Sequence, residues 1–326
     1  MVTIILFTYN RKDYIRKALD AILNQSYKEF KLYILDNHST DGTSSIIDSY
    51  SDNRIKHIRH QRNIGGIASA KYAFQYLIDD QLVLFTHDDD IMHATMVERQ
   101  VKIFIKHNDI KMVSTNMNTI DFKDNLIQTH LLPIHQDMIL KQFQFIENYL
   151  DCKNYVCTPT VMLRWDFIKK NGIMPSSNCG PANDAFMWSE INTYPNGNIY
   201  IIEEPLYNYR IHNTQDSSKN RYSMVTDLDL PLLSLIKSRA NHLTNRYIHT
   251  FPNILIKGVL VDFALGKTDL ILARKVLLQC LVRYRGRILI SYLIFIHLFI
   301  IFPRSFKVLY LLLNIIKKNI HNISNE

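Results

Sequence analysis

Leu82-Val83-Leu84-Phe85-Thr86-His87-Asp88-Asp89-Asp90 decides the fold of this chain. Its first residues are apolar, as in a strand buried on both faces, and its last four are polar, as in a loop that meets a ligand. The same junction recurs upstream. Residues 2–7 run into Thr8-Tyr9-Asn10, 31–35 into Asp36-Asn37-His38-Ser39-Thr40-Asp41-Gly42-Thr43, and 55–59 into Gln61-Arg62-Asn63-Ile64-Gly65-Gly66. A fifth apolar run covers 111–115. Residues 13–23, 43–50, 67–78 and 95–106 between these runs read as helices, with Asp13, Thr43 and Thr95 expected as caps. Strand–helix alternation of this kind predicts an α/β fold with a doubly wound, mostly parallel sheet, whose ligands bind beyond the carboxyl ends of the strands.

Further along, 116–224 is irregular and punctuated by six prolines, as expected where binding loops lie over a sheet edge. From about residue 225 the chain turns helical and rich in leucine and isoleucine. The expected domains are therefore 1–224, carrying the sheet and its loops, and 225–326, a helical appendage.

The charge divides at the same place. Over 326 residues the net charge is +8, with 47% hydrophobic residues and a mean hydropathy of −0.09, which excludes a disordered chain. Residues 1–224 hold 24 basic and 25 acidic side chains and sit near neutrality, whereas 225–326 hold 14 and 5. No nucleic-acid partner is expected, because a duplex binder needs its cations on the folded domain. Cys152, Cys157, Cys179 and Cys280 form neither a CxxC pair nor a zinc spacing, which fits a reducing compartment. The apolar N-terminus ends after seven residues without a basic leader, so it reads as a strand rather than a signal peptide, and a cytoplasmic catalytic part is expected.

Asp88, Asp89 and Asp90 are the strongest chemical signal. Adjacent carboxylates at a strand end repel one another, and a hard divalent cation, Mg²⁺ or Mn²⁺, is their natural neutraliser; a solvated acidic turn is the alternative. Asp36, ending a strand, can accept the imide N–H of a uracil or thymine ring. Arg62 can meet phosphate, and the Gly65-Gly66 pair after Asn63 lets a ligand approach the backbone. Asp184 lies in a polar turn feeding a short helix, where it is either an N-cap or a reactive carboxylate. Arg210 and His212 share one face if the segment is extended and can bind diphosphate or metal, with ordinary loop residues as the alternative.

These loops together resemble the family 2 glycosyltransferases of the GT-A fold over roughly residues 1–215. The matching runs are Thr8-Tyr9-Asn10-Arg11, Leu35 to Thr43, Asn63-Ile64-Gly65-Gly66 with Ala70-Lys71, His87-Asp88-Asp89-Asp90, Asn183-Asp184 and Tyr209-Arg210-Ile211-His212. The resemblance implies a nucleotide-sugar donor contacted by Thr8, Asn10, Asp36, Arg62, Asn63, Asp88 and Arg210. It implies Mn²⁺ or Mg²⁺ held by Asp88, Asp89 and Asp90, with His212 assisting. Asp184 would be the general base of an inverting transfer. Asn37 and His38 stand where the family has Asp-Gly, His87 stands where many members have the first acid of the metal motif, and Asn183 replaces Glu. No Q-x-x-R-W follows Asp184, which implies single-sugar transfer rather than processive synthesis.

The tail adds an expectation about placement. Residues 288–302 are apolar on nearly all sides, and at 1.5 Å per residue would reach about 22 Å, short of the roughly 30 Å hydrocarbon core. Arg283, Arg285, Arg287, Arg304, Lys307, Lys317 and Lys318 lie around this run and around a second one, 308–316. Peripheral binding to an anionic membrane surface at the inner face of the cell membrane is expected, with a helical subdomain as the alternative. A lipid-linked glycan or polysaccharide precursor is the acceptor expected there. The competing functions are a nucleotidyltransferase, which would want a glycine-rich phosphate loop after the first strand, and a non-catalytic membrane-docked nucleotide-sugar-binding protein.

Overall fold

The computed structural model describes residues 1–212, 221–264, 266, 268–284 and 286–288, and then 293, 296, 297, 299, 301 and 303. The chain divides into two compact units, Met1–Leu232 and Leu233–Glu326.

The first unit is built on one mixed sheet. Strands β1 (Val2–Thr8), β2 (Phe30–Asp36), β3 (Ile55–Arg59) and β4 (Leu82–His87) alternate with helices α1 (Ile15–Leu23), α2 (Thr43–Asp48) and α3 (Gly66–Tyr76). There follow β5 (Ile91–Met92), α4 (Met96–Lys106), β6 (Ile110–Ile120), β7 (Leu126–Gln128), β8 (Met138–Leu140), α5 (Gln144–Leu150), β9 (Met162–Arg164), α6 (Trp165–Lys170), α7 (Asn183–Asn192) and β10 (Asn198–Arg210). The order across the sheet is β3-β2-β1-β4-β9-β6-β10-β5, with β7 beside β6 and β8 beside β10. All the long ladders, β1 with β2 and β4, β2 with β3, and β6 with β10, are parallel. The antiparallel pairings come from strands of two or three residues, too short to show a period in sequence.

Burial explains why the parallel half forms. Val2, Ile4, Ile5, Leu6, Leu32, Ile34, Leu35, Val83 and Leu84 are wholly buried, so consecutive residues face protein on both sides of the sheet. Helix α1 closes one face through Ile15, Ala18, Leu19 and Ile22, the i, i+3, i+4, i+7 stripe of an amphipathic helix. The expected caps act differently from the sequence reading. Neither Asp13, Thr43 nor Thr95 caps its helix through its side chain; Gly42, at φ 100°, starts α2, and Asp41 accepts from the Thr43 amide and hydroxyl.

Chain order makes β1 and β4 a switch point. The polypeptide steps outward from β1 to β2 and β3, then returns to β4 on the other side of β1, leaving a crevice at the carboxyl ends of β1 and β4. The Asp88–Asp90 segment crosses from β4 to β5, which pairs with Tyr207 and Asn208 of β10.

Helix α8 (Arg221–Arg239) passes from the first unit into the second, where α9 (Thr244–Ala264) and α10 (Leu270–Arg283) follow. Tyr247, Phe251, Leu255, Val259 and Leu260 make a buried stripe on α9, and Asp269 caps α10 by accepting from the Leu272 amide at 2.8 Å. Among the described residues no helix is long and apolar enough to cross a membrane. Most of 288–302 and all of 308–316, the two runs of the membrane expectation, lie outside the described residues.

Candidate functional site

The loops after β1 and β2 are stitched together by the residues that sequence reading gave to the nucleotide. Asn10, at φ 54°, donates its amide to Ser39 Oγ at 2.9 Å, and its Oδ1 accepts from the Thr40 amide at 2.8 Å. The Arg11 amide donates to Thr43 Oγ1 at 2.8 Å. Asn63 performs the same task one strand further on: its Oδ1 accepts from Asn37 Nδ2 at 2.8 Å and from the Gly65 amide at 2.9 Å. His38 takes the left-handed conformation, φ 70°, at the position where the family carries glycine, and its Nδ1 lies 3.2 Å from the His60 carbonyl.

Asp36 is 0% exposed. Its Oδ1 accepts from the Ser39 amide at 2.8 Å and its Oδ2 from the Ser44 hydroxyl, with His57 Nε2 and Arg59 Nε at 3.8 and 3.7 Å. Burial opposes its ionisation, but the neighbouring His57 and the bonds from Ser39 and Ser44 outweigh burial and hold the carboxyl well below the usual range. It is a permanent anion that shapes the loop. Thr8 is buried too, and its hydroxyl bears on Asp88 while making no hydrogen bond of good geometry among the described residues. Arg62 is exposed beside the start of α3.

Across the crevice, the acidic segment is sorted by its neighbours. Asp88 faces β1: its Oδ2 accepts from the Tyr9 amide at 3.3 Å and its Oδ1 lies 3.5 Å from Arg11 Nε. Asp89 lies between Arg11 Nε at 3.5 Å and His212 Nε2 at 2.9 Å, both on its Oδ2. Asp90 has a side chain 0% exposed; its Oδ1 accepts from the Arg210 amide at 2.7 Å, while its Oδ2, without a hydrogen bond among the described residues, has His87 Nδ1 at 3.5 Å. Arg210 is 1% exposed and holds the site from behind. Its Nε donates to the Asp89 carbonyl at 2.7 Å, and its Nη1 reaches the Asp121 carbonyl at 2.9 Å and Asp124 at 2.5 Å. His212 packs on Tyr14 with ring centroids 5.1 Å apart. The Arg210 and His212 of the sequence reading thus lie at the acidic segment, bonded to Asp89 and Asp90.

Crowding shows in the proton affinities. Burial, then the charge of Asp89, push Asp88 up to about 7 despite Arg11, and burial also raises Asp90. The His87 ring is 45% exposed; burial lowers its affinity for a proton, yet Asp90, Asp89 and Asp88 raise it to about 9. His87, Asp89 and Asp90 each offer a ligand atom, all within 4.8 Å of one another. A buried carboxylate oxygen left without a donor costs about 1–3 kcal/mol. The Asp90 Oδ2, buried, without a hydrogen bond among the described residues and held only by the 3.5 Å ion pair with His87, therefore fits a divalent cation. Sequence reading passed over His87 as a mere departure from the family pattern; its signal was its position at the end of β4, beside the acids.

Asp184 comes from the other half of the sheet. It is the second residue of α7, preceded by a loop closed by Asn183, which accepts from the Ser176 amide at 2.6 Å and donates to its carbonyl at 2.5 Å. Gly180, at φ 53°, passes so close to Asp227 that a Cβ would collide with it. Asp184 Oδ1 accepts from the Ala185 amide and its Oδ2 from Thr158 Oγ1, each at 2.7 Å. Ala182, not Asp184, occupies the N-cap. Thr158 begins a 3-10 turn whose carbonyl accepts from the Val161 amide, and the Val161 carbonyl accepts from Phe85 of β4 at 3.3 Å. A continuous path of bonds therefore ties Asp184 to the strand that ends in His87. Nothing in the sequence around Thr158 marks it, because its role arises only from tertiary placement.

A mixed, mostly parallel α/β sheet with its polar loops gathered at one switch point is the architecture of the GT-A fold. Residues 3–168 match the Glycosyl transferase family 2 profile, half of the chain, and the protein belongs to that family. The O-antigen biosynthesis glycosyltransferase WbnJ of Escherichia coli is 28% identical over 233 residues, 68% of this chain and 85% of WbnJ. UDP-Glc:alpha-D-GlcNAc-diphosphoundecaprenol beta-1,3-glucosyltransferase WfgD of Escherichia coli is 29% identical over 108 residues, 33% of this chain and 42% of WfgD. Among solved structures, S. aureus TarS 1-349 in complex with UDP-GlcNAc superposes with a TM-score of 0.61 at 16% identity, covering 89% of this chain and 82% of TarS 1-349. The mannosyltransferase PcManGT from Pyrobaculum calidifontis, with GDP-Man and Mn²⁺, gives 0.53 at 16% identity, covering 94% of this chain and 84% of that one. These two likenesses concern the fold.

Proposed function

We propose that this glycosyltransferase is inverting and metal-dependent, moving one sugar from a UDP- or dTDP-linked donor to a hydroxyl of a lipid-linked or cell-surface polysaccharide precursor. The observation that carries the reading is the set at the β1/β4 switch point, in which a buried Asp90 oxygen without a hydrogen bond among the described residues faces His87 beside Asp89. The names of WbnJ and WfgD support the acceptor class, and the UDP-GlcNAc complex of TarS supports a uridine donor.

In this reading Thr8 meets the nucleotide with its buried hydroxyl, and Asp36 sets the shape of the loop beneath the base; direct contact with Asp36 requires the Ser44 hydroxyl to turn away. Arg62, exposed at the start of α3, takes a phosphate oxygen. When bound, a cation at the acidic segment stabilises charge developing on the leaving diphosphate. Arg210 holds the Asp89 carbonyl and, through its own amide, Asp90. His212 fixes Asp89 by a bond to its carboxylate. Asp184 takes the acceptor hydroxyl proton as the new C1–O bond forms and the C1–O bond to the diphosphate breaks. One displacement of this kind inverts the anomeric centre. Proton NMR of the product from an α-linked donor tests it: a β-linked product supports the single displacement, and an α-linked product contradicts it. Asp184→Asn should abolish transfer while leaving donor binding intact.

The basic tail is read as a membrane dock, supported by the excess of Lys and Arg over acids in 225–326. Truncation from about residue 281 onward should move the protein from anionic vesicles into the supernatant; unchanged sedimentation would leave the tail structural.

A further inference from the structure

We propose that His87 is itself a metal ligand, so that the cation is held by one imidazole nitrogen and by carboxylates of Asp89 and Asp90, with Asp88 serving Arg11 instead. The inference rests on the metal-dependent reading above. Asp88 has both oxygens turned to β1, one toward Arg11 and one toward the Tyr9 amide. Asp90 is anchored through Oδ1 to the Arg210 amide, and its other oxygen, buried and without a hydrogen bond, has His87 Nδ1 as its neighbour at 3.5 Å. Two adjacent ligands at about 2.1 Å from one small cation lie about 3 Å apart, so a shift of roughly half an ångström completes the pair. The His87 ring is 45% exposed and can make that shift, whereas His212 is 5% exposed and already spends Nε2 on Asp89. His212 thus orients a ligand from outside the coordination shell.

A nitrogen ligand alters selectivity. Imidazole favours transition-metal ions over Mg²⁺, whose preference is for oxygen and water. The chain should therefore bind Mn²⁺ and Co²⁺ more tightly than Mg²⁺, and His87→Asp should reverse the balance by weakening Co²⁺ and Mn²⁺ about tenfold while leaving Mg²⁺ unchanged or tighter.

The test is pulsed EPR of full-length protein loaded with Mn²⁺ alone, beside calorimetric titrations with MnCl₂, CoCl₂ and MgCl₂. A nitrogen hyperfine coupling in the wild type that vanishes in His87→Asp and persists in His212→Gln is the expected result. Coupling that persists in His87→Asp and vanishes in His212→Gln would assign the nitrogen to His212 and overturn the inference. Mn²⁺ bound without any nitrogen coupling would overturn it too, leaving a metal site made of oxygen alone. A wild-type protein that takes up no Mn²⁺ refutes this ligand set and the metal-dependent reading together.

Discussion

Removing one hydroxyl, in Thr158→Val, tests whether the base of the transfer is held where the chemistry needs it. Valine keeps the β-branched shape of threonine, and the turn's backbone bond, from the Val161 amide to the residue 158 carbonyl, is untouched. What disappears is the 2.7 Å bond from Oγ1 to Asp184 Oδ2, leaving the Ala185 amide as the carboxylate's other donor. Hydrogen bonds to charged groups contribute about 1.5–3 kcal/mol. If most of that stabilisation serves to fix the carboxylate toward the acceptor, the barrier rises by a comparable amount, and each 1.36 kcal/mol is about tenfold in rate. Transfer by Thr158→Val should therefore fall roughly 10- to 100-fold in kcat, with KM for the donor unchanged, because the proposed donor site is at the ends of β1 and β4. Thr158→Ser, which restores the hydroxyl, should recover activity to within about threefold. The assay is steady-state release of nucleoside diphosphate with acceptor present, alongside thermal unfolding to show that the turn is intact. Full activity in Thr158→Val, with an unchanged unfolding temperature, would refute the assignment of Thr158 as the residue that positions the base.

Arg210→Met should lower stability by about 1–3 kcal/mol, since it leaves the Asp89 and Asp121 carbonyls without their buried donor while Asp124 keeps Lys17, and a drop in melting temperature of roughly 5 °C would register it. Asp36→Asn should be destabilising at neutral pH. Because the folded-state affinity of Asp36 for a proton is depressed, its contribution is fully present above the unfolded value of 3.8 and is lost as pH falls further; the gap between mutant and wild type in urea unfolding should close only in that acid range. Mn²⁺ uptake, measured by calorimetry, should tighten between pH 6 and pH 9, as His87, at about 9, loses the proton that competes with the cation. Uptake independent of pH over that range would place the ion elsewhere.

The parallel half of the sheet was readable because its residues have few alternatives. Val2, Ile4, Ile5 and Leu6 are buried on both faces, and α1 carries its apolar residues on one stripe, so period and composition agree with the environment. β10 was not readable. It runs for 13 residues through Glu203, Glu204 and Pro205, its register with β6 shifts at bulges, and its partner lies some ninety positions upstream. Strands β5 and β7 to β9 are set by the neighbours they find, not by their own pattern. The site divides the same way. Asp88 to Asp90 announced themselves, because three adjacent acids at a strand end are chemically conspicuous. The division of labour among them depends on the adjacent His87 and on Arg11, Arg210 and His212, and the last three meet them only in three dimensions. Asn10 and Asn63 lie in runs that resemble the family's, but their side chains hold loops together, a role that a motif cannot distinguish from ligand contact.

The central claim, a transfer that depends on a divalent cation at the β1/β4 switch point, is tested most directly by one measurement. Purified full-length protein is incubated with UDP- and dTDP-sugars and a lipid-linked acceptor, and nucleoside diphosphate release is followed before EDTA, after EDTA, and after restoring excess Mn²⁺. Release that stops on chelation, returns with Mn²⁺, and fails to return in Asp90→Asn is the expected result. Turnover indifferent to EDTA, or full recovery in Asp90→Asn, would contradict the assignment.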